Sequence, residues 1–510
     1  MKIVRLILGD QLNQKHSWFK EVNNDVTYVM AEMRQETDYV KHHVQKVVAF
    51  FLAMRSFKED LSAKGHNFIY YKLNDDNNPQ QLGQIISNTI LNTKANKFEY
   101  LLPDEYRLDQ QLVEICNTLN VDTASYDTEH FYTTRFELKD FYKGKKQMVM
   151  ESFYRMMRKK YSIMVTNDQP EGGKWNYDQS NRNKWKGKTP IPKEIEFPKK
   201  VEDIIQLLKD KNVQTFGTID STNFPWPVTR EECLNTLDYF CKDLLPHFGD
   251  YQDAMHTDEK FLFHSRLSFA MNAKILAPNE VINAVLDHFY DKANDIKISQ
   301  VEGFIRQILG WREYMRGIYW KEMPGYKSLN SLNNKNKLPE FFWTGNTKMN
   351  CLKKSIGQSL DNSYAHHIQR LMVIGNFALL TQIDPNEVDQ WYLGVYIDAI
   401  EWVEITNTRG MSQFADGGIV ATKPYVSSAN YINKMSNYCG KCHYSHTKKL
   451  GENACPFNSL YWNFLSDKKK HFKDNQRMSM MMALLDKMEG NKLAEIQKRA
   501  SYIIDNLDEF

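Results

Sequence analysis

Three cysteines lie close together near the end of the sequence, in the segment NYCGKCHYSHTKKLGENACPFN at 437–458. Cys439 and Cys442 form a CxxC pair, and the two residues between them let both thiolates turn toward one metal centre. Cys455, which is followed by proline, supplies a third thiolate. The spacing therefore predicts a metal centre, with free core cysteines as the alternative.

The fourth ligand of this centre stays open on spacing alone. A structural zinc site usually has two closely spaced pairs, and the sequence contains no second CxxC. His443 or His446 would complete a Cys3His zinc site. Cys351, far upstream, would instead give four thiolates, which with a terminal Cys-Pro suit a 4Fe-4S cluster equally well.

The composition is that of a globular protein with room for a large cofactor. A length of 510 residues exceeds one compact core and predicts two or three domains. The mean hydropathy is -0.59, and no run approaches the roughly 18 apolar residues of a membrane span. Seven scattered cysteines and the lack of a signal peptide favour a reducing compartment, so we expect a cytoplasmic monomer without membrane contact.

The first 135 residues alternate between strand and helix patterns. Short β-rich runs predict four strands: KIVRLILGD, VTYVMAE, NFIYYKL and FEYLLPDEY. Apolar residues at three and four spacing predict two helices: KHHVQKVVAFFLAMRSFKEDLSAKG and YRLDQQLVEICNTLN. The alternation indicates a Rossmann-like parallel sheet, in which ligands bind beyond the carboxyl ends of the strands, here near Gly9, Asp10 and the loop Glu32–Glu36.

The segment that follows is strongly basic. Residues 141–200 hold 15 Lys and Arg against 6 Asp and Glu, and the segment is rich in Gly, Pro and Asn toward its end. With Trp175, Tyr177 and Trp185 between its lysines, it suits phosphate contacts and base stacking, although a merely solvated linker has the same composition. From residue 205 onward the periodicity is helical almost throughout and predicts an all-helical domain.

Three long segments carry a family resemblance: FIRQILGWREYMRGIYW (304–320), HHIQRLMVIGNFALL (366–380) and EWVEITNTRGMSQFADGG (401–418). They resemble the iron-sulfur bacterial cryptochrome and photolyase family, and within it the prokaryotic (6-4) photolyases. The likeness runs from LILGDQL at the start to NACPFNSLYW near the end.

This resemblance implies the photolyase/cryptochrome fold. Its parts would be an α/β antenna-chromophore domain at 1–135, a basic interdomain linker at 136–204 and a helical FAD-binding catalytic domain at 205–510. It also implies a 4Fe-4S cluster, which makes the distant cysteine the fourth ligand. The implied ligands are Cys351, Cys439, Cys442 and Cys455.

By the same resemblance the helical domain binds FAD. The segment HSRLSFAMN (264–272) is similar to the phosphate-contacting loop, where a serine-rich turn at a helix start offers N–H groups and hydroxyls; an ordinary helix cap is the alternative. Arg370 and Asp398 are expected to face each other across the isoalloxazine ring. The residues implied in FAD binding are His264, Ser265, Arg266, Leu267, Ser268, Gln307, Trp311, Arg312, Arg370, Asn376, Asp398 and Asn407.

The resemblance further implies light-driven repair of (6-4) photoproducts in UV-damaged DNA, on a lesion flipped out of the duplex. His367 is expected to donate a proton with support from His366, because histidine titrates near neutral pH. A second pair, His42–His43, shows that the dipeptide alone identifies nothing. The other residues implied in catalysis are Tyr425 at the lesion, Trp343, Trp391 and Tyr392 in electron transfer, and Glu404 in proton relay.

In the first domain, Asp10, Glu36 and Tyr39 match positions around the antenna chromophore of the family, which is 6,7-dimethyl-8-ribityllumazine in relatives. A flavin antenna or none is the alternative. Two other functions stay open: a cryptochrome-type blue-light photoreceptor with the same cofactors, and a zinc-stabilised nucleic-acid-binding protein. The histidine pair and Tyr425 favour repair.

Overall fold

The computed structural model describes residues 1–145, 147–291 and 293–510. Its first elements are β1 Ile3–Leu6, β2 Val26–Ala31, α1 Arg34–Asp38, β3 His42–His43, α2 Val44–Ala63, β4 Asn67–Tyr71, α3 Leu82–Thr93, β5 Lys97–Leu101, α4 Tyr106–Thr118 and β6 Asp122–Tyr126. Five of the strands form one sheet in the order β4-β2-β1-β5-β6, with all neighbours parallel.

The strand order fixes where this sheet can bind a ligand. From β1 the chain builds outward on one side through β2 and β4 and on the other through β5 and β6, so the order reverses beside β1. Ligands of such sheets bind at this switch point, outside the carboxyl ends of the strands. Asp10, Glu32 and Glu105 follow β1, β2 and β5 and therefore meet at the same edge.

The remainder of the chain is largely helical. Its elements are α5 Glu137–Phe141, α6 Met150–Lys160, β7 Val165–Thr166, β8 Gln169–Pro170, α7 Glu202–Asp210, β9 Thr215–Phe216, α8 Arg230–Tyr239, α9 Leu245–Tyr251, α10 Ser268–Asn272, α11 Pro278–Tyr290, α12 Ile298–Ile305, α13 Glu313–Glu322, α14 Phe341–Thr344, α15 Asn350–Asn362, α16 Asn376–Leu380, α17 Pro385–Val395, α18 Glu401–Ile405, α19 Ala429–Met435, α20 Pro456–Asp467, α21 Lys469–Phe472, α22 Ser479–Asp486 and α23 Gly490–Asp505. The predicted fold class, a parallel-sheet domain followed by a helical domain, is confirmed.

Several helices contain a stretch of wider π-helix. These stretches are Phe240–Leu244, Arg306–Arg312, Gln369–Gly375 and Thr406–Ser412. A π-turn inserts an extra residue into a helix and occurs frequently at functional sites, because it changes the direction of the side chains. Three of these stretches carry residues predicted to bind FAD: Gln307, Trp311 and Arg312 in one, Arg370 in the next and Asn407 in the last.

The sheet and the helical part are joined through residues 41–46. The short strand β3 pairs with β9 in parallel, and Nε2 of His43 lies 2.7 Å from the carbonyl oxygen of Leu360. Gln45 donates to the carbonyl oxygens of Thr218 and Asp361, both at 2.7 Å. The backbones also approach closely, since a Cβ atom on Gly394 would collide with the carbonyl oxygen of Lys41.

The structure differs from the sequence-based prediction in local detail. The helix predicted over the segment KHHVQKVV begins at Val44, because the two preceding histidines pair with β9 and the His43 ring accepts the Gln45 N–H as a cap. The sequence patterns missed α3 and β6. The predicted linker at 136–204 contains α6, whose Phe153 and Tyr154 are buried. Among the described helices, none is long and apolar enough to cross a membrane.

Candidate active site and cofactor sites

A cavity of about 160 Å³ lies at the carboxyl edge of the sheet. The three predicted antenna residues, Asp10, Glu36 and Tyr39, all line it. The wall also includes Ala399 and Ile400, so both parts of the chain enclose the space. The structure thus brings together residues that the sequence placed after two different strands.

The carboxylates of this cavity are paired with basic side chains. Arg107 donates to Glu36 at 2.8 Å and to Glu105 at 2.7 Å. Burial and then the charge of Glu36 raise the pKa of Glu105 to about 7. Lys274 bonds Asp10 at 2.8 Å. The pairing leaves a wall with hydrogen-bonding capacity and little net charge.

Arg370 and Asp398 form a direct ion pair in the helical part. The two guanidinium–carboxylate contacts measure 3.0 and 3.2 Å. The prediction that they face each other across the isoalloxazine ring is wrong, because a bidentate contact leaves no space for a ring between them. Although burial acts to raise it, Arg370 and the hydroxyl of Ser268 hold the pKa of Asp398 below its usual value.

Arg312 is buried in a mixed aromatic and polar setting. Its guanidinium carbon lies 4.7 Å from the Phe131 ring centre and 4.8 Å from that of Trp402. One nitrogen donates to the Met271 carbonyl oxygen at 3.1 Å and to Asn272 Oδ1 at 3.2 Å. Burial lowers the pKa of Arg312 to about 10, and Nε and Nη1 have no partner among the described residues.

The other residues predicted to bind FAD are scattered over neighbouring elements. Asn376 exchanges two hydrogen bonds with the Ser427 backbone, at 3.0 and 3.1 Å, so its amide is committed to the protein. Gln307 and Asn407 each donate to a carbonyl oxygen one helical turn earlier, and Trp311 packs its edge against Tyr314.

The predicted phosphate loop precedes α10 and turns sharply. Arg266 adopts a φ of 56° and donates to the Ile195 carbonyl oxygen at 2.9 Å. The Leu267 N–H donates to Ser265 Oγ at 3.4 Å, which is a weak contact. His264 lies at the start of the loop, between the carbonyl oxygens of Phe261 and Gln252 at 2.9 and 3.1 Å.

His366 and His367 differ in their surroundings. His366 is buried and stacks on His264, with ring centres 4.4 Å apart and planes at 15°. Burial, followed by the nearby His264, lowers the pKa of His366 well below its usual value. His367 has an exposed side chain, but desolvation by the surrounding protein and then the charge of Arg370 lower its pKa to about 4.

Glu404 is buried in α18, which excludes the alternative of a helix-surface acid. Burial, followed by the negative charge of Asp389, raises the pKa of Glu404 well above its usual value. Its Oε1 atom has no partner in the described part of the chain. Burial thus favours the protonated, uncharged form of Glu404.

The predicted electron-transfer aromatics form a partial chain. The rings of Trp391 and Tyr392 lie 5.4 Å apart, and Tyr392 donates to the Arg370 carbonyl oxygen at 2.7 Å. Trp343 is 42% exposed, and its neighbour Phe342 packs on Trp391 at 5.2 Å. The series runs from the surface toward the Arg370 ion pair. Tyr425, the predicted lesion contact, is half-buried.

The four predicted cluster cysteines line one cavity. Cys351 and Cys455 are buried, whereas Cys439 and Cys442 are half-buried. Burial and then the proximity of the other three thiols raise the pKa of Cys351. His446 also lines the cavity, whereas His443 packs against Tyr444.

The basic segment holds its aromatic residues in internal contacts. Cations of Arg155, Arg158 and Lys159 lie between 5.3 and 5.7 Å from the ring of Trp175. The indole of Trp185 donates to the Thr189 carbonyl oxygen at 2.9 Å. The exposed lysines of the segment stay available to a polyanion.

Sequence reasoning missed several residues of these sites. Lys46, His42, Glu105 and Arg107 were not singled out, although the first three line the cavity at the sheet edge. One signal existed, since Lys46 interrupts the apolar run VQKVVAFF. The contribution of Arg107 depends on the pairing of distant segments and leaves no local pattern.

Comparisons with known proteins agree with this architecture. The family model described as deoxyribodipyrimidine photo-lyase-related protein matches residues 5–224. A (6-4) photolyase from Agrobacterium fabrum is 39% identical over 506 residues, 99% of each chain. The uncharacterized protein R855 of Acanthamoeba polyphaga mimivirus is 37% identical over 136 residues, 27% of this chain and 100% of that protein.

Two solved structures share the fold. A bacterial class III photolyase from Agrobacterium tumefaciens matches with a TM-score of 0.61 and 13% identity, over 100% of this chain and 98% of that one. A Synechocystis cryptochrome matches with a TM-score of 0.57 and 14% identity, over 92% and 93%. The parallel sheet and the helical part thus define a photolyase/cryptochrome fold.

The identity with the Agrobacterium fabrum protein extends over nearly the whole chain. The chain belongs to the bacterial photolyase and cryptochrome family. Membership of this family implies FAD as a cofactor and DNA as the substrate.

Proposed function

We propose that the protein is a light-driven (6-4) photolyase, which repairs pyrimidine-pyrimidone photoproducts in UV-damaged DNA. The observation that carries this proposal is the 39% identity with a (6-4) photolyase over 99% of each chain. The histidine pair at 366–367 and Tyr425 support repair over signalling, because signalling alone gives no reason to keep a proton donor beside the flavin site.

FAD fits the residues of the helical part. Several buried polar atoms there have no partner among the described residues, including Nε and Nη1 of Arg312, Nε1 of Trp402 and Oε1 of Glu404. A ligand that offers both donors and acceptors would satisfy them, since such groups rarely stay unpaired. Reduced FAD, when bound and excited by light, supplies the electron that the lesion accepts. Arg312 and the Arg370–Asp398 pair would hold and orient it.

In this proposal, His367 donates the proton that repair of the lesion requires. With a pKa of about 4, the imidazole of the free protein is neutral at pH 7. A nearby negative charge favours the imidazolium. DNA phosphates, and the lesion once it has accepted an electron, would therefore raise the pKa of His367. DNA binding therefore prepares the proton donor. His366, held by its stack on His264, positions its neighbour.

We assign a 4Fe-4S cluster to the four-cysteine cavity. Among the residues that the structure describes, no three His, Cys, Asp or Glu side chains converge on a single-ion site. Four thiols that line one cavity, one of them followed by proline, suit a 4Fe-4S cluster. Arg499 supports this assignment, because it bonds the Ala454 carbonyl oxygen beside Cys455 and its buried Nε lacks a partner. Sulfide or thiolate is an acceptor it could meet.

We assign 6,7-dimethyl-8-ribityllumazine to the cavity at the sheet edge. Buried Nδ1 of His42 has no partner among the described residues and would meet a polar ring. The paired carboxylates Asp10 and Glu36 offer acceptors to ribityl hydroxyls.

The same proposal specifies DNA as the binding partner, the domain boundaries and the cellular location. The exposed lysines of 141–200 would contact DNA phosphates while the lesion is flipped into the helical part. The proposed domain boundaries are 1–135, 136–204 and 205–510, with the protein acting as a cytoplasmic monomer.

A repair assay tests the proposal. The purified holoprotein is reduced, mixed with an oligonucleotide that carries one (6-4) photoproduct, and illuminated with blue light. Restoration of the two pyrimidines in the light and not in the dark is expected. A protein that binds flavin and responds to light but leaves the lesion intact would instead be a cryptochrome-type photoreceptor.

A further inference from the structure

Lys46 lies in the first turns of α2, and its side chain is buried. Lysine is seldom fully buried, because removal of an ammonium group from water is costly unless other groups compensate. Burial lowers the pKa of Lys46 to about 7, against the pull of Asp398 and Glu404. A compensating interaction is therefore required.

The compensation comes from the helical part of the chain. Nζ of Lys46 donates to the carbonyl oxygen of Leu393 at 2.7 Å and to that of Ala399 at 2.8 Å. An ammonium group has three N–H donors, and the described residues provide these two acceptors only. Lys46 also lines the cavity at the sheet edge, together with Ala399 and Ile400. The third N–H is available to a ligand in that cavity.

The segment that Lys46 holds also shapes the proposed FAD site. Asp398 lies between the two bonded carbonyls and pairs with Arg370 at 3.0 Å, while its own carbonyl oxygen accepts from Asn272 at 2.7 Å. Arg370 in turn donates to the carbonyl oxygen of Ala365 at 2.6 Å, directly before the histidine pair. These hydrogen bonds, together with the short peptide segments between them, therefore connect the cavity with the proposed catalytic histidines.

We propose that Lys46 is a positioning residue that couples the two cofactor sites, so that a ligand in the cavity and FAD strengthen each other's binding. The inference rests on the proposed function for both cofactors. A ring carbonyl of the ligand that accepts the third N–H stabilises the ammonium and fixes the carbonyls on both sides of Asp398. The coupling is reciprocal, because the factor by which one ligand strengthens the other must be the same in both directions.

FAD release from the purified holoprotein tests the coupling. The rise of flavin fluorescence on dissociation is followed with and without added 6,7-dimethyl-8-ribityllumazine. In the wild type, the added lumazine should slow FAD dissociation by about fivefold or more, the lower end of typical couplings. Lys46→Met removes the donors at similar length, so FAD should leave faster and the effect of lumazine should disappear.

A matched control is Lys64→Met, the same change at an exposed position at the end of α2. This variant should behave as the wild type. Lys46→Gln, with two donors on a shorter side chain, replaces Lys46→Met if the latter does not fold, and the same loss is expected of it.

The outcomes separate the coupling from the chromophore assignment. Lumazine that binds the wild type without changing FAD release overturns the coupling, and so does a full lumazine effect in the Lys46 variants. Lumazine that does not bind the wild type overturns the antenna assignment. The coupling is then decided by FAD dissociation without lumazine, and equal rates in the Lys46→Met and Lys64→Met proteins overturn it.

Discussion

The imidazole of His367, the proposed proton donor, is uncharged in the free protein at pH 7. Its pKa of about 4 keeps it neutral in the free protein, and the charge of Arg370 contributes to that shift after burial. The residue type alone suggested a donor that titrates near pH 7, whereas in the proposed mechanism the imidazole takes up its proton only when negative charge from the DNA lies nearby.

His367→Ala should therefore abolish repair and leave FAD bound. The substitution removes the proton donor, whereas the Arg370–Asp398 pair stays intact. Loss of at least about 100-fold in repair rate is expected, since general acid catalysis typically contributes that much. The measurement is lesion repair under continuous light, with flavin absorbance as the check on cofactor content.

His443→Ala is the matched control, because this histidine of the cysteine loop is also exposed and packs only against the neighbouring Tyr444 among the described ring contacts. It should repair at the wild-type rate. Equal rates for the two variants and the wild type would show that His367 is not the donor.

At the scale of elements, the four-cysteine cavity joins segments that are distant in the chain. Cys351 lies in α15, and Cys455 caps the start of α20. Helix α20 in turn packs against α23, which carries Arg499. A cluster at this point would tie the starts of α15 and α20 to the loop that carries Cys439 and Cys442.

Cys351→Ser should lose the cluster and weaken the packing between the starts of α15 and α20. Serine cannot replace a buried thiolate ligand, so iron content should fall and the broad visible absorption of the cluster should disappear. Cys116→Ser, at a half-buried cysteine of α4 outside the cavity, is the control and should keep its iron. Full iron content in Cys351→Ser would refute the ligand set.

The junction of β3 and α2 should make stability depend on pH. Burial lowers the pKa of His43 to about 4, so the folded state keeps the ring neutral while the unfolded chain binds a proton below about 6.5. The stabilisation is complete above pH 6.5 and is lost as the pH falls toward 4, at about 1.4 kcal/mol per unit.

Denaturant unfolding at pH 7 and pH 5 measures this effect. His43→Gln keeps a side-chain donor and acceptor but has no titrating group, so its stability should fall less over this range than that of the wild type. An equal fall in both proteins would assign the pH dependence to other groups.

At the scale of the whole molecule, charge is distributed unevenly along the chain. The net charge is +3, yet residues 141–200 alone hold 15 basic against 6 acidic residues. Reversal of the exposed Lys174, Lys186 and Lys188 to Glu should flatten the salt dependence of DNA binding, by about 0.9 in slope for each phosphate that is no longer neutralised. Fluorescence anisotropy with labelled duplex at several salt concentrations measures the slope.

The same reversal of Lys487, Lys492 and Lys498, which are exposed near the end of the chain, is the control. It changes the net charge equally and should leave the slope nearly unchanged. Equal slopes in both triple variants would place the DNA-binding surface elsewhere.

The sequence predicted the fold class because hydrophobic periodicity is a local property. The alternation of strands and helices and the later helical pattern each needed only a short window. The cavity at the sheet edge followed from the same logic, since residues after parallel strands meet at one edge. The bidentate contact of Arg370 with Asp398, the shifted pKa of His367 and the bonds of Lys46 depend on packing between distant segments. The lysine within the apolar run VQKVVAFF is visible in the sequence, but its bonding partners are not.

The bonds of residues 43–46 to the helical part have a consequence for the independence of the sheet. His43, Gln45 and Lys46 direct side-chain groups to carbonyl oxygens more than 170 residues away. If the sheet were cut from the chain and fused elsewhere, these groups would lose their partners, and one wall of its cavity would be missing. The sheet therefore depends on the helical part for one wall of its cavity and for the partners of these side chains.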